Sequence, residues 1–342
     1  MRTNRIVGLI AILFAAMVTA ATSAQSPTFR YIRMGSATNA SAVAPRAGFA
    51  LMGGGDDLDE AFRWLCDRAG GGDFLVLRAT GDNEYNPYLR KLCHLNSVAT
   101  MVIPSRAAAA DPVVARTISA ATAIFIAGGD QANYINFWMG THVQAALNDA
   151  IRRGVPIGGT SAGLAVLGEY AYSAQGDKPD DPNLDSKTAL ADPLNSHVTL
   201  VKGFLDIPIL KNIVTDTHFA KRNRMGRLLV FLARLTGPNG NPTPAGSPPV
   251  RGIGVEQRAA VLLEPGGQAH VIGQGSAYFI ETKEFVDVPV PGKPLALRDV
   301  AVQKVSPGRT FDLSTWQGDA VAYRLSVENG ILHSTQPGGA IY

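Results

Sequence analysis

Between Gly48 and Ser161 short apolar runs alternate with amphipathic stretches, and the alternation repeats. Residues 48–52, 74–78, 97–103, 123–127 and 156–158 are apolar and bounded by turn residues, so each reads as a buried strand. Between them, residues 58–67, 85–95, 112–121 and 142–153 carry apolar side chains at helical spacing. A glycine turn, Gly53-Gly54-Gly55, joins the first strand to the first helix. Strands alternating with helices predict an α/β fold, a doubly wound and mostly parallel sheet covered by helices on both faces.

Past Ser161 the grammar loosens. Residues 164–170 read as a helix, 177–196 as a polar, Pro/Asp-rich surface excursion, and 237–250 as a second loop holding most of the local Pro and Gly. From Gly254 onward short β-type runs at 259–263, 270–272, 277–280 and 321–327 are separated by Gly/Pro turns. The expected organisation is therefore a leader at 1–24, an α/β hydrolytic domain at 25–264 and a small β-rich C-terminal extension at 265–342.

The leader rests on Arg2 and Arg5, an apolar stretch from Ile6 to Ala21, and the small residues Thr22-Ser23-Ala24, which suit signal-peptidase cleavage. The expected location is secreted or periplasmic, with no membrane contact after cleavage; an uncleaved anchor is the alternative, disfavoured by the short apolar run. Cys66 and Cys93 lie on predicted helices flanking one strand. An exported compartment permits a bridge between them, and two buried thiols are the alternative. With 46% hydrophobic and 17% charged residues over 342, the chain is ordinary globular material. A formal charge of +3 without any Lys/Arg run argues against a nucleic-acid partner.

Three clusters carry candidate chemistry. Gly159-Thr160-Ser161-Ala162-Gly163 follows an apolar strand and precedes a helix, the context that holds a nucleophilic serine on a tight elbow; the bland alternative is an N-cap serine on a Gly-rich turn. Gly128-Gly129-Asp130-Gln131 ends the preceding strand, so both turns open on the carboxyl edge of the sheet, where ligands bind in such folds. The amides of Gly129 and Ala162 are candidates for an oxyanion hole and Gln131 for a hydrogen bond to substrate; alternatively the turn is a plain helix entry capped by Asp130. Activating a serine near neutral pH requires a base, and among six histidines only His218 has a carboxylate, Asp216, two residues before it and Arg222, Arg224 and Arg227 close after it. Asp216 is a further candidate for substrate binding, and the arginines are candidates for a bidentate clamp on a substrate carboxylate, or else the solvated face of the following helix. Glu256, at the end of Gly252-Ile253-Gly254-Val255, is the candidate for orienting His218.

Taken in this order, the motifs from about Met52 to Leu263 resemble the cyanophycinase and peptidase E family of serine peptidases, which shares its fold with class I glutamine amidotransferase domains. The resemblance implies that Ser161 of G-T-S-A-G is the nucleophile, that His218 of D-x-H-F is the base, and that Gly129, Gln131 and the three arginines line the site. It implies hydrolysis of a peptide or isopeptide bond at aspartate, with a peptide or cyanophycin-like polymer as substrate, no cofactor, no metal, and pairing into homodimers as relatives often do. The family's strand reads G-I-G-x-D-E with the triad acid last, whereas here Glu256 is followed by Gln257. The acid is displaced by one residue, and neighbours along a strand face opposite sides. Gln257 is then able to accept the imidazole N–H, without a charge to stabilise the imidazolium.

Three other readings stay open. The displaced acid favours a pocket that binds without turnover. An esterase of α/β-hydrolase type runs Ser, acid, His, while here His218 precedes Glu256. Amidotransferase domains use Cys where this elbow has Ser.

Overall fold

A computed structural model describes residues 28–41, 43–177, 184–236, 249–282 and 289–342. The expected leader lies outside them, as do most of the 237–250 loop and residues 178–183 of the 177–196 excursion.

The first sheet has five parallel strands at its centre, in the order Ser97–Val102, Asp73–Arg78, Ala123–Ile126, Ile157–Thr160, Phe49–Met52. Their side chains alternate between two cores, as a pleated strand with both faces covered requires. Phe49, Leu51, Leu75, Leu77, Ile124 and Ile126 pack against the helices Pro112–Ala120, Gln131–Trp138 and His142–Arg152. On the other face Ala50, Met52, Phe74, Val76 and Phe125 pack against Asp59–Arg68 and Tyr85–Leu92. Those two helices are joined by a Cys66–Cys93 disulfide.

The chain does not stop at one sheet. Beyond the serine elbow the predicted helix over 164–170 ends at Ala165, and Tyr170–Tyr172 is a strand. It pairs in parallel with Ile213–Asp216, which pairs in parallel with Arg251–Val255, founding a second, eight-stranded sheet. Ile213, Ile253 and Val255 share a core with the first sheet, while Val214 and Tyr278 face the helix Met225–Thr236. The β-rich segment after 265 pairs onto both sheets. Gln268–Gly273 and Thr310–Asp312 continue the first, and Ala277–Thr282, Leu297–Val305, Val321–Glu328 and Ile331–Ser334 continue the second.

The two sheets meet at their carboxyl edges, where backbone hydrogen bonds tie loops within each sheet and that of His218 joins one sheet to the other. Ser161 N–H donates to Met52 O (3.1 Å), His218 N–H to Gly53 O (2.8 Å) and Phe219 N–H to Val255 O (3.2 Å). Four chain segments far apart in sequence are thereby locked around one point.

Candidate active site

Ser161 sits between the strand Ile157–Thr160 and the short helix Ala162–Ala165 with φ 52° and ψ −118°, a left-handed conformation unfavourable for a residue with a Cβ. Its neighbours must be small. A Cβ on Gly159 would stand 2.5 Å from the Gly163 carbonyl carbon, and one on Gly163 would stand 2.0 Å from Ile126 O. The elbow turns this tightly because the helix it starts packs directly on the strand before it.

The Ser161 hydroxyl is 2.7 Å from His218 Nε2, within hydrogen-bond distance. His218 also has positive φ (47°), and its ring stands over Gly54. A Cβ on Gly54 (φ 90°) would lie 2.4 Å from His218 Cε1. Sequence reading saw Gly54 only as part of a turn, because nothing in the sequence says which distant side chain will occupy the space a glycine leaves.

At the other ring nitrogen the expectation for Glu256 is corrected. Glu256 Oε2 accepts from Ser276 N–H (2.9 Å) and Oε1 accepts from the Tyr278 hydroxyl (2.6 Å), so its carboxylate is spent on the neighbouring strand. Gln257 is the residue whose amide lies 2.6 Å from His218 Nδ1. The two follow the strand Arg251–Val255 directly, and adjacent side chains leaving a strand diverge to opposite sides.

A cavity of about 610 Å³ opens in front of Ser161, lined by Gly129, Gln131, Ala162, Thr217, Arg222 and Arg224 among others. Gly129 has φ 154°, and Asp130 accepts from Ala132 N–H (2.9 Å) as the cap of the helix Gln131–Trp138. The turn thus caps a helix and also borders the cavity. Ala162, at the first helical position, has an N–H without an intrahelical acceptor. Asp130 and Asp177 line the cavity too, so it carries both signs of charge. Asn133, Asn136 and Gln175 complete a polar wall that sequence reading missed, since they come from two segments with no shared spacing.

The arginine cluster divides. Arg222 is exposed and lines the cavity, and Arg224, though buried, borders it while its Nη1 donates to Thr217 O (3.0 Å). Arg227 and Asp216 are not available to a substrate, contrary to expectation. Both are buried in a bidentate pair, Nε to Oδ2 at 2.7 Å and Nη2 to Oδ1 at 2.5 Å. They fix the base of the loop that carries His218. Burial pushes the His218 pKa down, and Arg222 and Arg224 push it further, to about 4.

Residues 81–215, the stretch holding the elbow, match Peptidase family S51. The chain is 27% identical over 266 residues to the cyanophycinases of Synechococcus elongatus and Thermosynechococcus vestitus, covering 74% of each chain. Over these residues it is similar to peptidase family S51. The cyanophycinase of Nostoc sp. is 26% identical over 207 residues, 58% of this chain and 60% of that one. Among solved structures, a peptidase from an acI-B1 Actinobacterium superposes with a TM-score of 0.50 at 16% identity over 79% of this chain and 98% of its own, a likeness of fold. The family match and the cyanophycinase relatives together indicate a serine-type peptidase.

Proposed function

We propose that this chain is an exported, cyanophycinase-like peptidase that hydrolyses peptide or isopeptide bonds at aspartate and releases β-Asp-Arg from a cyanophycin-like polymer. The observation that carries the reading is the 2.7 Å hydrogen bond between Ser161 and His218 on a strained elbow, facing a cavity with charges of both signs. Ser161 Oγ attacks the scissile carbonyl carbon while His218 Nε2 takes its proton, and the amides of Gly129 and Ala162 receive the developing oxyanion. His218 returns the proton to the departing amine; water, deprotonated by His218 in turn, then releases the acid. Arg222 and Arg224 suit the carboxylates of an aspartyl substrate, and Asp130 and Asp177 suit its guanidinium groups. The Cys66–Cys93 bridge favours an oxidising compartment.

The test is amine release from insoluble cyanophycin and from a panel of α- and β-aspartyl dipeptides, with Ser161→Ala alongside. Release from the polymer that Ser161→Ala abolishes, at unchanged melting temperature, is expected. Cleavage of α-aspartyl dipeptides alone would instead make it an Asp-specific dipeptidase, and a fully active Ser161→Ala enzyme would sink the nucleophile assignment. A second reading, a peptide-binding relative without turnover, is favoured by one feature, the neutral Gln257 beside His218.

A further inference from the structure

The base role of His218 demands a particular tautomer. For Nε2 to take the Ser161 proton its lone pair must face Oγ, so the ring proton must sit on Nδ1, and Nδ1–H needs an acceptor. The partner at Nδ1 is the amide of Gln257, whose Nε2 stands 2.6 Å away; its accepting and donating ends are nearly equal in shape, so a turn of the amide puts either toward the ring. With Oε1 toward the ring, Nδ1–H donates to it and Nε2 is free to act as base. With Nε2 of the glutamine toward the ring, Nδ1 accepts and the imidazole Nε2–H donates to Ser161 Oγ, which leaves the serine unactivated. A carboxylate in the same place permits only the first arrangement.

Among the described residues no other group near the ring removes this ambiguity. On its own loop His218 is faced by Arg222, Arg224, Arg227 and Asp216, the last engaged by Arg227. Across from it, a cavity beside Gln257 is bordered by Asp56, Lys221, Glu256 and Arg258. Glu256 cannot turn toward the ring without releasing both Ser276 N–H and Tyr278, whose ring is held edge-on by Tyr342 (5.8 Å). Gln257, by contrast, lies beside the Gly55 turn, where an added Cβ would come within 3.3 Å of Gln257 Cβ.

We propose that Gln257 is the positioning residue for His218, and that its two-ended amide divides the free enzyme between a competent and a resting tautomer, so that a carboxylate at this position releases a restrained enzyme. The inference rests on Ser161 and His218 acting as nucleophile and base. In a comparable serine peptidase, exchanging the orienting carboxylate for its amide costs about 10⁴ in kcat through the wrong tautomer, so even a partial reversal here is large.

The experiment compares purified wild type, Gln257→Glu, Gln257→Ala, Glu256→Gln and Ser161→Ala on one aspartyl substrate across pH, with melting temperatures, and adds ¹⁵N chemical shifts of the His218 ring in the wild type and Gln257→Glu. Expected are a rise in kcat of about tenfold or more for Gln257→Glu with KM nearly constant, an acid limb moved to higher pH by the added negative charge, and a ring ¹⁵N pattern changed from mixed to a single Nδ1–H tautomer. Gln257→Ala should lose kcat by about a hundredfold at similar KM. Gln257→Glu and Gln257→Ala both within about twofold of wild type in kcat and unmoved in acid limb, or a single Nδ1–H tautomer already present in the wild type, would overturn the proposal. Ser161→Ala keeps the two failures apart, since activity surviving in it refutes the peptidase chemistry itself, whereas an inactive Ser161→Ala with indifferent Gln257 variants refutes only the positioning role.

Discussion

Replacing Asp216 by Asn tests whether this carboxylate belongs to the core or to substrate recognition. Asp216 and Arg227 have side-chain exposures of 2% and 3%, and Arg224 stands 3.5 Å from Asp216 with 8%. The cluster holds two guanidinium groups and one carboxylate, so neutralising the carboxylate leaves two like charges without a counter-ion. Arg227 would keep its hydrogen bond to Leu184 O (3.1 Å) and its places over the Tyr172 (5.0 Å) and Phe231 (5.8 Å) rings. Stranding a buried charge this way costs about 3–5 kcal/mol, and because Asn retains one acceptor oxygen the lower end is expected. At roughly 2–4 °C per kcal/mol for a chain of this size, about 3 kcal/mol lowers the melting temperature by about 6–12 °C. Burial alone would raise the Asp216 pKa, but Arg227 and Arg224 hold it below the ordinary value. A depressed carboxylate pKa contributes stability above the unfolded value of about 3.9 that is lost as pH falls through the folded one, so the variant should show a flatter acid side in melts recorded from pH 7 downward. Asp216→Leu combined with Arg227→Met should recover part of the loss, since only Arg224 is then left without a counter-ion. An unchanged melting temperature in Asp216→Asn together with a raised KM for aspartyl substrates would refute the reasoning and return Asp216 to the substrate.

Two further outcomes follow from the site geometry. Gly54→Ala places a Cβ 2.4 Å from His218 Cε1 at φ 90°, so kcat should fall by about a hundredfold or more while far-UV circular dichroism is unchanged; full activity would mean the ring does not work from this position. His218 must be neutral to act, and with its pKa lowered to about 4 by burial and the two arginines, kcat/KM should stay level as pH falls from 7 to about 5 and decline only below that. An acid limb near the ordinary histidine value of about 6.5 would show that the ring is more solvated than its packing implies.

Much of this architecture is legible in local pattern. The five central parallel strands are short and apolar, their cover on both sides leaves no polar face, and the intervening helices carry regular stripes, so each is readable from its own residues. The edge strand Arg30–Gly35 was invisible for the opposite reason: it is half exposed and alternates no apolar face. The run 164–170 misled because a short apolar stretch suits a buried helix or a buried strand equally. Past the end of that helix, Gly168 lies so close to Ile213 O that a Cβ there would stand at 2.7 Å.

At the site the same division holds. The elbow at Ser161 and the motif around His218 were readable because each is a local demand on backbone and chemistry: small residues where the chain must turn inside a packed layer, an imidazole where a proton must move. Three things awaited the tertiary structure: which of Glu256 and Gln257 meets the imidazole, which arginines face solvent rather than Asp216, and which glycine makes room for the ring. Each depends on the direction a side chain takes after its strand or loop has been docked against another two hundred or fewer residues away, and composition and spacing carry no record of that direction. Sequence determined that a serine and a histidine are present in the right local settings; packing of the second sheet against the first decided what stands behind the histidine.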